Sequence, residues 1–235
     1  MTGDLPRRER LGRISLDPAS RLLVVAPHPD DEVLSFGGAL YEHVLAGGQA
    51  TVIAVTDGEG ADNCANDASR QQLAARRALE RAAALRCLGA ADVQLIRLRF
   101  PDGRVAERED TVVVALRPIL VGAAEAGGSP TVVSPWRLDL HPDHEATGRA
   151  TARAACGLRL RLLEVPIWAS YAARHGGPRA ACTGQVPIGA AARLAKREAM
   201  RCFCSQLEAL PHDQGPVLPP DFLDVFDRPF EAVLG

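Results

Sequence analysis

Several protein classes are excluded by features missing from this sequence. Its 235 residues contain no apolar run near the about 20 residues that a membrane-spanning helix needs. Residues 1–13 are polar and hold no hydrophobic signal-peptide segment, so a cytoplasmic protein with no membrane anchor is expected. Charge of one sign is also missing, since 27 Lys and Arg stand against 29 Asp and Glu for a net charge of -2. A nucleic-acid surface would be strongly basic, so the expected partner is a small molecule and not a nucleic acid. Cys64, Cys87, Cys156, Cys182, Cys202 and Cys204 form no C-x-x-C pair. They are expected to be small, buried or half-buried reduced thiols, with no metal or disulfide role. Cys202 and Cys204, two apart on a predicted helix, would point to different faces. There is no internal repeat, heptad array or low-complexity segment. No G-x-G-x-x-G or Walker loop follows any predicted strand, which argues against a nucleotide-binding dehydrogenase.

The chain does have globular proportions, with 47% apolar and 24% charged residues, enough for one large domain with a sizeable core. Hydrophobic period and Gly/Pro punctuation alternate along it. Strands are predicted at 21–26, 50–55, 93–98, 129–133 and 159–167. Helices are predicted at 32–46, at 69–88 with Ser69 as N-cap, at 108–126 with a break or kink near Pro118, and from the second motif below to about 156. Residues 56–67 read as a long loop. A last amphipathic helix is predicted at 189–210, with Leu194, Met200, Phe203 and Leu207 on its apolar face. Between 169 and 186 the pattern weakens around Gly176-Gly177-Pro178. The end is Pro-rich and then aromatic (Phe222, Phe226, Phe230), and is expected to pack back and border the cleft. Alternation of strand and helix predicts an α/β fold, a Rossmann-like parallel-sheet three-layer sandwich with a small carboxy-terminal elaboration. The expected organisation is a polar extension at 1–20 and a single domain at 21–235, of which 169–235 shapes specificity.

Two runs carry the chemistry: His28-Pro29-Asp30-Asp31-Glu32 after the first predicted strand, and His141-Pro142-Asp143-His144 after the fourth. Sites in such sheets lie beyond the carboxyl ends of strands, where both runs fall. His28 lies just past a strand and Asp31 one turn later, so one metal ion can reach both. Pro29 is expected to stiffen the turn as a first helical residue. Asp30 projects at a different angle, suited to holding a water. The three carboxylates would also suit a helix N-terminus, but that role leaves His28 unexplained. His141 and His144, three apart, share a face if a helix begins there, so that one can ligate while the other stands over the open position. Together the runs imply a metal-dependent hydrolase.

The two runs resemble those of the LmbE-like (PIG-L) family of metal-dependent N-acetylglucosaminyl deacetylases, a likeness extending over residues 21–149. The resemblance implies a Rossmann-like fold and zinc, with ferrous iron as the less usual metal. It implies an activity that removes N-acyl groups from amino sugars such as N-acetylglucosamine in a glycoside or glycolipid. It matches His28, Asp31 and His144 to the metal ligands and Asp30 to the general base. His141 matches the residue that stabilises the oxyanion in its protonated form, and Asp143 the acidic neighbour that orients or tunes it. Arg77, opening R-x-x-E with Glu80, and Asp102, in Pro101-Asp102-Gly103, match substrate-binding positions. A soluble N-acetylglucosaminyl glycoside or natural-product intermediate is the preferred substrate, and the alternative is an amide in a larger sugar–thiol conjugate. Two histidines and a carboxylate also make the facial triad of ferrous oxygenases. Those sites favour H-x-D in a β jelly roll, whereas here the spacing is H-x-x-D in an alternating α/β pattern.

Overall fold

The structure, a computed structural model, describes residues 12–60, 66–208 and 215–235. Most of the polar start, Cys64 and the end of the last predicted helix lie outside the described residues. The strands are β1 (Gly12–Arg13), β2 (Leu22–Ala26), β3 (Ala50–Thr56), β4 (Gln94–Phe100), β5 (Thr131–Pro135), β6 (Arg161–Val165), β7 (Gly184–Pro187) and β8 (Phe230–Val233). The helices are α1 (Asp31–Leu45), α2 (Asp67–Cys87), α3 (Glu109–Glu125), α4 (Pro142–Ala155), α5 (Trp168–Arg174), α6 (Ala190–Met200) and α7 (Cys204–Leu207). Among the described residues, no helix is long and apolar enough to cross a membrane.

β2 is apolar and buried at every position, the pattern of a strand covered on both faces. It sits third in a parallel five-stranded sheet of order β4-β3-β2-β5-β6. Side chains alternate across it. Leu22 and Val24 enter one core with Leu34, Phe36, Leu40, Leu88, Phe203 and Phe222. Leu23 and Val25 enter the other with Ile53, Leu116, Leu120, Ala146 and Ala150. Helices on both faces make the expected three-layer α/β sandwich. Burying one such large apolar side chain is worth about 1.5–3 kcal/mol. The chain runs outward from β2 through β3 to β4 and returns to β5 beside β2, so strand order reverses between β2 and β5. A crevice at such a reversal is where open α/β sheets bind ligands, and both motifs follow these two strands. A second, three-stranded sheet, β1-β7-β8, joins β1 near the amino-terminal end to two strands of the carboxy-terminal part.

Several local expectations change. The N-cap of α2 is Asn66, whose side chain accepts from Ser69 N at 2.9 Å while Ser69 Oγ accepts from Asn66 N at 3.2 Å. Ser69 is thus the third helical residue of a reciprocal cap. α3 continues through Pro118. The proline removes the bond to the Val114 carbonyl, and Val114 is on the exposed face of the helix. The single helix expected at 189–210 is α6 and α7 with a turn between them. Leu194 is exposed, and Lys196 lies on the buried face with Ala192, Ala199 and Met200.

Lys196 is buried because of a break in α1. Phe36 has non-helical dihedrals (φ -146°, ψ 16°), which frees backbone groups that must find partners. Lys196 Nζ donates to Leu34 O at 3.0 Å, and Glu231 Oε1 accepts from Gly38 N at 2.9 Å. The two side chains pair with each other. A buried ion pair from α6 and β8 therefore satisfies the bend.

Candidate active site

The first motif leaves the end of β2 and enters α1 through Asp30, which has φ 127° and ψ -31°. A non-glycine residue in such a region costs on the order of 1–3 kcal/mol. Asp30 is the N-cap yet makes no side-chain capping bond. Pro29 precedes the cap, so the stiffened first helical position expected there does not occur. Asp31 Oδ2 accepts from His28 N at 2.9 Å, and Glu32 forms a fully buried pair with Arg81 at 3.0 Å. In the second motif His141 is the N-cap, its Nδ1 accepting from Asp143 N at 3.2 Å, and Pro142 begins α4.

The turns bring three donor atoms together. His28 Nδ1 lies 3.2 Å from His144 Nε2 and 3.3 Å from Asp31 Oδ2, and His144 Nε2 lies 3.2 Å from Asp31 Oδ2. Ligands held about 2.0–2.1 Å from a tetrahedral zinc ion stand about 3.3 Å from each other, so this triangle fits such an ion. Two further groupings share His28: one with His141 and His144, the other with Asp102 and Asp143. In the second of these, Asp143 already accepts from Gly103 N at 2.7 Å and Val105 N at 3.1 Å. Asp102 Oδ2 accepts from Gly60 N at 2.8 Å. The His28–Asp31–His144 triangle has all three donor-to-donor distances within 3.2–3.3 Å.

Charges around the triangle are tightly interdependent. Burial pulls the His144 pKa down, but the Asp31 charge and the hydrogen bond to Asp139 raise it to about 9. Asp31 is held well below the usual carboxylate range, its burial outweighed by His144 and His28. His28 is opposed by burial yet raised by Asp102, Asp143 and Asp31. Asp30 moves the other way, since burial and then the Asp31 and Glu32 charges raise it well above normal. Burial, with the His144 and His28 charges, lowers His141 to about 4. Burial and the two neighbouring charges thus favour the neutral His141 ring in the metal-free protein. When His28 and His144 are neutral, as metal ligation requires, those two charges vanish.

Three other expected residues have contacts that the sequence did not indicate. The Asp143 carboxylate holds Gly103 N, Val105 N and His28 Nε2 (3.3 Å), while it is the Asp143 backbone that meets His141. It tethers the loop after β4 and acts on the His141 ring through its charge, which raises the His141 pKa, while its carboxylate bonds go elsewhere. Asp102 Oδ1 lies 3.1 Å from His28 Nε2. Arg77 is buried on α2; its Nη1 donates to Gly58 O, and its Nη2 is buried with no partner among the described residues. Gly58 has φ +73°, and a Cβ there would come within 2.6 Å of Arg77 Nη1, so only glycine lets the loop close on this guanidinium. His28, Asp30, Asp31, Arg77, Asp102, His141 and His144 line one cavity.

Other contributors were not foreseen. Asp139, fully buried, holds His144 Nδ1 at 2.8 Å and accepts from the backbone N–H groups of Ile167, Trp168 and Ala169. It fixes the ring so that Nε2 faces the triangle. Trp168 stacks on His141 with 6.1 Å between ring centroids. With Leu218 and Phe222 it forms an apolar wall, and Gln206 donates from α7 to Pro29 O. The only signal for Asp139 was a carboxylate two residues before the second motif, and its partners come from the far end of β6.

Residues 23–155 match the family described as PIG-L: GlcNAc-PI de-N-acetylase. The chain is 32% identical over 136 residues to a probable N-acetyl-alpha-D-glucosaminyl L-malate deacetylase 2 of Bacillus anthracis, covering 57% of this chain and 58% of that protein. It is 31% identical over 157 residues to a 1D-myo-inositol 2-acetamido-2-deoxy-alpha-D-glucopyranoside deacetylase of Nakamurella multipartita, covering 63% of this chain and 47% of that protein. The alignments thus span about half the length of these relatives. The crystal structure of the A40926 pseudoaglycone deacetylase Dbv21 superposes with a TM-score of 0.63 at 27% identity, covering 89% of each chain.

Proposed function

The chain belongs to the PIG-L family of GlcNAc-PI de-N-acetylases, and we propose that it hydrolyses the amide of an N-acetylated or short-chain N-acylated amino sugar. The proposed substrate is an N-acetylglucosaminyl glycoside or a natural-product intermediate carrying that group, as the names of the relatives suggest. The observation that carries this reading is the 3.2–3.3 Å triangle of His28, Asp31 and His144 beside a strained Asp30 that makes no capping bond. His28, Asp31 and His144 would hold zinc, and ferrous iron suits the same donor set. When bound, the cation supplies Lewis acidity and a water of lowered pKa.

The protein groups then have separate tasks. Asp30, its carboxylate made more basic by burial and two neighbouring charges, takes a proton from the attacking water. His141 accepts a backbone N–H at Nδ1, so its neutral ring carries the proton on Nε2. It donates from there to the developing oxyanion, a contact worth about 3–4 kcal/mol in comparable sites. Arg77 Nη2, which has no partner among the described residues, gives a further donor to the substrate. Asp102, whose oxygens retain lone pairs beyond those given to His28 and Gly60, accepts from a sugar hydroxyl. Trp168, Leu218 and Phe222 supply the apolar side, which assigns specificity to the part of the single domain from about residue 169 onward.

Zinc-reconstituted protein is expected to release primary amine from N-acetylglucosaminyl glycosides, to stop on chelation and to restart when zinc returns. Tight binding of one zinc without amine release from any N-acetylated amino sugar would overturn the substrate class. Failure to bind a divalent cation would overturn the site.

A further inference from the structure

Away from the cavity, α2 and the turn after α6 bring two thiols together. Cys87 is the last residue of α2 and is exposed, whereas Cys202 lies in the turn between α6 and α7 and is half-buried. They are 115 positions apart in sequence, yet their Sγ atoms are 3.7 Å apart. A disulfide is about 2.05 Å long, so side-chain rotation and a small approach of the two backbones would close it. Among the described residues, the other bond of Cys202 Sγ is a weak one, to Glu198 O at 3.5 Å. Cys204 is the nearest competitor, but its Sγ is turned to Arg201 O at 3.6 Å.

The position of the pair gives it a consequence. α7 follows Cys202 directly and holds the site together through polar contacts. Ser205 N and Oγ donate to Glu80 on α2 at 2.8 and 2.6 Å, and Gln206 donates to Pro29 O in the first motif. From this juxtaposition we infer that Cys87 and Cys202 form a dithiol that a small-molecule disulfide oxidises to a crosslink, which clamps α7 against α2 beside the cavity.

The exchange balances in two steps. The Cys87 thiolate attacks one sulfur of the oxidant, forming a mixed disulfide and releasing the first thiol. Cys202 then attacks Sγ of Cys87 and releases the second. Two protein thiols are oxidised, one small disulfide is reduced to two thiols, and the two protons leave with those thiols. Exposed Cys87 reacts first, because burial and the adjacent Cys87 push the Cys202 thiol up to about 11.

The test is oxidation of the full chain with glutathione disulfide, followed by non-reducing peptide mapping and amide hydrogen exchange. The expected product is a single Cys87–Cys202 crosslink lighter by two hydrogens, removed by dithiothreitol, and retained in Cys204→Ser. It is absent from Cys202→Ser and from Cys202→Ala, and exchange at residues 203–207 slows on oxidation. A stable glutathione adduct on Cys87 without ring closure would overturn the inference, as would a Cys87–Cys204 link. Unchanged exchange at 203–207 in crosslinked protein would overturn the clamp. None of these readouts depends on catalysis, so they stand apart from the proposed deacetylase reading.

Discussion

His28-Pro29-Asp30 and His141-Pro142-Asp143 read alike, but α1 begins three residues after its histidine and α4 one residue after its own. The offset redistributes every role. In the first turn the imidazole stays free for the cavity and Asp30 falls on a strained N-cap that it does not cap. In the second the imidazole is itself the cap, and Asp143 falls inside the helix, where its carboxylate ties down the loop holding Gly103 and Val105. The proposed ligand atoms then come from His28, the first helical residue of α1 and the third of α4. The starting phase of each helix, more than the letters of the motif, separates the proposed base from the tether.

The largest expected effect contrasts the two aspartates. Asp30→Ala should lower turnover about 10²–10⁴-fold with the metal stoichiometry intact. Asp143→Ala should instead cost about 1–3 kcal/mol of stability by leaving buried N–H groups unpaired. A metal-free Asp30→Ala protein would erase the distinction.

Next comes the pH dependence of the chelated protein. The folded-state pKa of His144 is raised to about 9 from 6.5, so its stabilisation is fully present below 6.5 and lost as pH rises through about 9. A shift of that size corresponds to about 3 kcal/mol. The Asp31 contribution has the opposite sense: its pKa is lowered from 3.8, so its stabilisation is present above that value and lost in acid. Chelated protein should therefore melt at lower temperature at pH 9.5 than at pH 6.5. Zinc, whose ligands must shed protons, should protect more at the higher pH. Equal zinc protection at both would contradict the charge pattern.

Asp139→Asn should weaken metal binding about 10–100-fold, measured by competition with a chelating dye, while Asp30 variants keep wild-type affinity. The smallest effects are conformational. Asp30→Gly should raise stability by about 1 kcal/mol by removing strain while abolishing turnover. His141→Ala should lower it by about 1 kcal/mol through the lost cap. Chemical denaturation of both variants checks whether the signs differ.

The five strands of the central sheet were legible because β2, β3 and β5 are short apolar runs between turn signals and β4 and β6 mix apolar with charged positions in the same spacing, and the run-on from strand to motif placed His28, Asp31 and His144 at one end of the sheet. Helix phase was not legible, since Pro29 and Pro142 give the same local signal and only tertiary contacts decide where each helix starts. Asp139 was invisible for a related reason, because its partners arrive from residues 167–169. The carboxy-terminal part read poorly because β7 pairs with β1 and β8, far apart in sequence. There, Leu194 faces out while Lys196 faces in, inverting the rule by which hydrophobic period is read.

That inversion has a practical consequence. The bend of α1, five residues beyond Asp31, is completed by an ammonium from α6 and a carboxylate from β8. Exchange of the carboxy-terminal part between relatives at a junction near residue 169 would separate these partners unless both chains supply the same pair. A recombination library built on this scaffold should therefore inherit residues 31–45, 190–200 and 230–233 as one block, however distant they are along the gene.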